Sequence, residues 1–186
     1  MQKKLAALRL LSLDPGTVNF GWSCLEMDSK GKVSVVRCGM FLPTLKELAE
    51  PIDLDMIDYH RQFAQLHKKS KAEILLSERY STRIRGTTCE AVNMMIGAAT
   101  LHHMQTVADG EVSVLMPMTW KAAIKKWLNG PIETYYKEVG LKAHPTDASL
   151  MGLYYYCKYL GGQWPDPAKF ADSIYKGFTD AFQVPR

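Results

Sequence analysis

No pair among the four cysteines of this 186-residue chain has Cys-x-x-Cys spacing. Cys24, Cys38, Cys89 and Cys157 are scattered, which excludes a zinc ribbon and a dense disulfide framework and points to small thiols kept reduced. No apolar run approaches the roughly 20 residues a membrane-spanning helix needs. Internal repeats and low-complexity tracts are absent, so a solenoid or a disordered array is excluded as well. Nor is there a strong excess of one charge. With 23 Lys and Arg against 19 Asp and Glu the net charge is +4, so a nucleic-acid partner has to be met by local basic patches. The first ten residues lead into a strand pattern without a signal-peptide cleavage site, giving the expectation of a soluble, cytoplasmic protein with no membrane partner. What remains is ordinary globular composition, 47% hydrophobic and 23% charged, long enough for one well-buried core.

The most informative stretch is residues 8–26. Residues 8–13 are mostly apolar, as a strand with a buried end is. The run stops at Asp14, where Pro15-Gly16 forces a turn, and a second run over residues 20–25 is close enough to pair antiparallel with the first. A carboxylate at the end of a buried strand is costly unless something positive, a Lys, an Arg or a metal ion, neutralises it. After a polar turn at residues 28–32, residues 33–41 read as a third strand. Residues 42–52 read as a Pro-bounded loop or short helix, and residues 53–69 as a helix with Leu54, Ile57, Phe63 and Leu66 on one face. Its early acids, Asp53, Asp55 and Asp58, suit the helix dipole better than a metal. Residues 72–77 form another short apolar strand, and it too ends in a carboxylate, Glu78.

A basic loop with Arg79, Tyr80, Arg83 and Arg85 follows. Next comes a long helix over residues 87–108, rich in Ala, Met and Gly, which suits close helix packing or a dimer face. His102 and His103 are adjacent and point in different directions, so they read as structural. A strand at residues 112–116 precedes a helix through Leu128, capped by Thr119 and carrying Lys121 and Lys125 on one side. Residues 132–139 form a further helix with exposed tyrosines. His144-Pro-Thr-Asp147 then opens a last strong helix over residues 148–160. The predicted fold is α/β: a mixed five-stranded sheet, an antiparallel meander extended by crossover strands and flanked by helices. Residues 1–160 make the domain. Residues 161–186 are a C-terminal extension with a short helix near 168–178.

In such a sheet the first and fourth strands are central neighbours, so Asp14 and Glu78 end at one edge. Asp147 and His144 can point at the same place. Buried like charges cannot all stay ionised without a cation, and oxygen-rich sites suit Mg²⁺ or Mn²⁺.

These motifs carry a resemblance. Leu-Ser-Leu-Asp14-Pro-Gly-Thr-x-Asn-Phe-Gly-Trp is similar to the first catalytic motif of the RuvC-type Holliday junction resolvases. Ile-Leu-Leu-Ser-Glu78 resembles their second, and His144-x-x-Asp147-Ala-x-x-Met-Gly their third. The likeness spans residues 8–160 and implies a ribonuclease H-like fold, a homodimer, and cutting of branched DNA at four-way junctions. It implies two Mg²⁺ or Mn²⁺ ions per site held by Asp14, Glu78, Asp147 and His144, with His144 either a ligand or a group that positions water. Paired nicks leaving 5′ phosphate and 3′ hydroxyl ends follow from that chemistry. His144 stands where many members carry an aspartate, and the segment 129–141 is longer than the bacterial pattern. The mixture resembles a phage or mobile-element member. DNA contact falls to Arg79, Arg83 and Arg85 beside the site, to Lys121 and Lys125 on the later helix, and to Tyr80 as a base-stacking ring. Rival readings are an RNA-processing nuclease of the same fold and a non-catalytic junction-binding protein.

Overall fold

The structure, a computed structural model, describes residues 7–16, 19–41, 45–47, 53–54, 56–79, 87–141 and 143–179. Strands β1 (Leu8–Asp14), β2 (Phe20–Met27) and β3 (Val33–Phe41) form the antiparallel meander. The turn between β2 and β3 closes on the Asp28 side chain, which accepts from the backbone N–H of Lys30 at 2.8 Å and Lys32 at 3.0 Å. A two-stranded ribbon, β4 (Leu45–Glu47) with β5 (Asp53–Leu54), leads to helix α1 (Met56–Ser70). Strand β6 (Ile74–Glu78) then pairs parallel with β1. Helix α2 (Thr87–Thr106) crosses over to β7 (Glu111–Leu115), which pairs parallel with β6. The sheet order is β3-β2-β1-β6-β7, the predicted mixed five-stranded sheet. The remaining chain is helical: α3 (Pro117–Leu128), α4 (Ile132–Val139), α5 (Ala143–Tyr159) and α6 (Pro167–Gly177).

Strand alternation divides the core in two. Leu11 and Leu13 of β1 pack with Trp22, Phe41, Tyr59, Phe63, Leu66, Leu75 and Met95, beneath α1 and α2. Leu10, Leu25, Val35, Ile74 and Leu76 pack with Trp120, Ile124, Tyr135, Leu150, Leu153, Phe170 and Ile174, beneath α3 to α6. Helix α5 is buried continuously from Pro145 to Tyr156, so it has no polar outer face, as a helix in a middle layer must not. The Tyr156 hydroxyl donates to the Leu8 carbonyl at 2.7 Å. Helix α6 packs Phe170 and Ile174 into the same layer against β3.

Several boundaries differ from the sequence reading. Asp53 and Leu54 are strand, so α1 starts at Met56, and its apolar stripe is Tyr59, Phe63 and Leu66, with Ile57 75% exposed. Helical periodicity could not see that a ribbon partner captures residues 53–54. Thr119 does not cap α3. That helix begins at Pro117, whose fixed φ suits the first helical position, and Met116 precedes it without a side-chain cap. Helix α5 begins at Ala143, because Pro145 falls in its first turn, where a missing N–H costs nothing. The tyrosines of α4 are not exposed: Tyr135 is buried and Tyr136 half-buried.

Candidate functional site

Two adjacent parallel strands deliver the first two acids. The β1–β6 register pairs Leu10 with Ile74 and Leu13 with Ser77, so the next residues, Asp14 and Glu78, stand side by side at the strands' C-terminal edge. Both share the alternation parity of Leu10, Leu76 and Ile74, which puts them on the side covered by α3, α4 and α5. His144 and Asp147 lie one turn apart at the start of α5 and so share a face. Gly21, opposite Asp14 in the β1–β2 register, lets that turn approach. A Cβ there would lie 2.4 Å from the His144 carbonyl.

The four side chains are near enough for the charge of Asp14 to act on Glu78, Asp147 and His144. His144 Nδ1 is 2.7 Å from Asp14 Oδ2. Asp14 is only 6% exposed and Asp147 8%. The Trp120 indole N–H donates to Glu78 Oε1 at 2.9 Å, and the Tyr136 hydroxyl donates to Asp147 Oδ1. Lys121 Nζ stands 3.6 Å from Asp147 Oδ2 and 5.0 Å from the centre of the Trp120 ring.

The charges register the crowding. Burial, and then the charge of Asp14, raise the Glu78 carboxyl to about 7, against the pull of Lys121 and the Trp120 hydrogen bond. Burial raises Asp147 to about 6. The Tyr136 hydrogen bond and Lys121 oppose that rise, and Asp14 adds to it. The bond to Asp14 raises His144, while burial opposes it. Burial first, and then Asp147, push the Tyr136 phenol up, so it stays a donor. Three acids share one edge with one lysine and one imidazole, which is a site short of positive charge. Among the described residues no three His, Cys, Asp or Glu side chains already frame a cation. Each acid makes one hydrogen bond through one oxygen, and Asp147 pairs with Lys121 through the other.

Of the basic residues predicted to touch DNA, Arg79 follows Glu78 on the same edge. Its backbone N–H donates to the Leu115 carbonyl at 2.8 Å, and its side chain is exposed. Lys125 is exposed on α3, whereas Lys121, one turn earlier, turns inward to Asp147. Tyr80, Arg83 and Arg85 lie outside the described residues. Sequence reasoning missed Trp120 and Tyr136. A Trp in an amphipathic helix reads as core, and nothing in residues 132–139 signals that one tyrosine faces an acid eleven residues on.

No protein-family model matches the chain, and no curated protein matches it by sequence. Solved structures do. RuvC of Thermus thermophilus superimposes with a TM-score of 0.60 at 19% identity, covering 83% of this chain and 97% of that one. The same protein in complex with Holliday junction substrate gives 0.61 at 16% identity, covering 83% and 96%. The fowlpox virus Holliday junction resolvase gives 0.50 at 11%, covering 80% and 96%. At these identities the likeness establishes the fold: a RuvC-like, ribonuclease H-like α/β domain whose structural neighbours include Holliday junction resolvases.

Proposed function

We propose that this chain is a metal-dependent, structure-selective DNA endonuclease that resolves four-way junctions. The observation that carries the reading is that buried Asp14 and Asp147 and half-buried Glu78 lie near one another at one sheet edge with too little positive charge beside them. A donor set of carboxylate oxygens with one imidazole fits Mg²⁺ or Mn²⁺, hard cations that prefer oxygen. Asp14, Glu78 and Asp147 would hold the ions, with His144 beside Asp14. Ions bound there supply activation of an attacking water and neutralisation of charge on the leaving 3′ oxygen, giving 5′ phosphate and 3′ hydroxyl ends.

The chain's own residues do the rest. His144 holds Asp14 through Nδ1 and leaves Nε2 for a water or an ion. Arg79, next to Glu78, and Lys125, one turn beyond Lys121 on α3, are exposed and would meet phosphates. Arg83, Arg85 and Tyr80 belong to the same proposed contact by their place in the chain.

Paired nicks require two copies. Helix α2 offers a face for this: Met94, Gly97, Leu101 and Met104 recur at helical spacing, and its three large apolar side chains are 55%, 58% and 64% exposed. A twofold dimer through α2 would give one site per opposed strand.

The test is incubation with Mn²⁺ and a panel of junction, flap and duplex DNAs. Ligatable paired nicks in the junction are expected, and Asp14→Asn should stop cutting while leaving junction binding intact. Cleavage of RNA alone would redirect the reading to RNA processing. Binding without cleavage by the unmodified chain would make it a junction-binding protein.

A further inference from the structure

Each acid of the site makes one hydrogen bond, through one oxygen, to a different structural element. Asp14 Oδ2 meets His144 of α5, Glu78 Oε1 meets Trp120 of α3, and Asp147 Oδ1 meets Tyr136 of α4. The second oxygens of Asp14 and Glu78 have no hydrogen bond among the described residues, and that of Asp147 has only Lys121, at 3.6 Å. Two of the three tethers, the indole N–H and the phenol O–H, are neutral donors that cannot replace a cation's charge. Both rings are anchored. Trp120 is buried in the core with Ile124 and Leu115, and Tyr136 packs, half-buried, against the same cluster. A carboxylate with one oxygen held by an anchored neutral donor has fewer rotamers open to it and keeps its other oxygen available. That is how outer-shell partners orient metal-binding carboxylates.

We propose that Trp120 and Tyr136 are positioning residues that pre-orient Glu78 and Asp147 for divalent-cation binding, with α3 and α4 serving as the scaffold that carries them. The inference rests on the nuclease reading above, because it assigns these tethers to the same acids. It also gives segment 129–141 a role: α4 exists at the site to present Tyr136. Neither residue touches DNA or water in this role. Each acts through its carboxylate.

The experiment is Mn²⁺ binding to the DNA-free protein, followed by calorimetry and by tryptophan emission, for the unmodified chain, Tyr136→Phe and Trp120→Phe. Tyr136→Phe keeps the ring and deletes only the donor, so it decides the matter even if Trp120→Phe fails to fold. Mn²⁺ affinity should fall about 10–100-fold in each variant, the usual loss when an outer-shell partner goes. In the unmodified chain, Mn²⁺ should change the emission of the indole bonded to Glu78. That change should vanish in Trp120→Phe although Trp22, Trp127 and Trp164 remain. Unchanged Mn²⁺ affinity in Tyr136→Phe, with binding intact in the unmodified chain, overturns the positioning role and leaves the nuclease reading standing. Absence of Mn²⁺ binding and cutting by the unmodified chain would instead remove the reading itself, and the positioning role with it.

Discussion

Gly21→Ala puts a single methyl where the fold has no room. Gly21 sits opposite Asp14 on β2, and an added Cβ would lie 2.4 Å from both the carbonyl carbon and oxygen of His144 and 2.9 Å from its Cβ. Backbone atoms cannot rotate away, so α5's first turn has to lift from the sheet by about 1 Å to restore ordinary carbon contacts near 3.5 Å. That turn carries His144 and Asp147, and α5 is buried along the rest of its length. Lifting it therefore strains packing as well as the 2.7 Å bond from His144 to Asp14. Overpacking of this kind costs about 1–3 kcal/mol. In a chain of this length each kcal/mol is worth about 2–4 °C, so melting should fall by roughly 2–12 °C. A 1 Å displacement at a reacting centre costs on the order of 100-fold in rate, so junction cutting in Mn²⁺ should fall by about that much while the protein is still folded. Thermal melting by circular dichroism and single-turnover cleavage below the melting range read the two effects separately. A variant that melts and cuts like the unmodified chain would refute the claim that Gly21 sets the approach of α5.

Other expectations concern the opposite face of the sheet. His67 is pressed between His103, 2.8 Å away through Nε2 and Nδ1, and His102, and burial and these neighbours lower it to about 4. Glu73, Lys68 and Lys71 line the same ~630 Å³ cavity. A histidine whose folded value lies below its unfolded 6.5 stabilises fully above pH 6.5 and loses that contribution as pH falls toward 4. After discounting for solvent reaching the ring from the cavity, the loss is roughly 1–3 kcal/mol. Urea titrations at pH 7 and 4.5 should show it, and His67→Gln should shrink the difference; an equal difference would exclude His67 as its source. Leu101→Glu on the exposed face of α2 should convert the proposed dimer to monomer in light scattering without lowering the melting temperature by more than about 1–2 °C. A dimer that survives it would place the interface elsewhere.

The sheet and its two acids were legible because both rest on local signals that tertiary context reinforces. Two apolar runs each end in a carboxylate, and a crossover helix makes those strands parallel neighbours. The start of α5 was legible only as chemistry. His144 and Asp147 could be paired by spacing, but Pro145 made the helix appear to begin later than it does. The tethers were not legible. Trp120 and Tyr136 reach Glu78 and Asp147 across 42 and 11 residues, and their direction depends on how α3 and α4 pack against α5. Lys121 was read with Lys125 as a DNA-contacting pair on one side of its helix, yet a single turn of helix separates a lysine drawn to an acid from one left in water.

The same crowding that underlies the proposed cation site works against the fold when no cation is bound. Asp14 and Asp147 are buried, Glu78 lies beside them, and among the described residues only Lys121 and His144 offset them. Removing one negative charge should therefore stabilise the cation-free protein, because repulsion and desolvation are relieved together. Asp14→Asn keeps the side-chain volume and a hydrogen-bonding partner for His144. Its melting temperature in EDTA should exceed that of the unmodified chain by about 2–4 °C, the worth of ~1 kcal/mol at this size. Saturating Mg²⁺ should reverse the order, since a cation that binds only the folded state adds stability by mass action where the acid set is complete. If Asp14→Asn melts lower than the unmodified chain in EDTA, Asp14 is a structural partner of His144 first. The acids would then not be a strained set awaiting a cation.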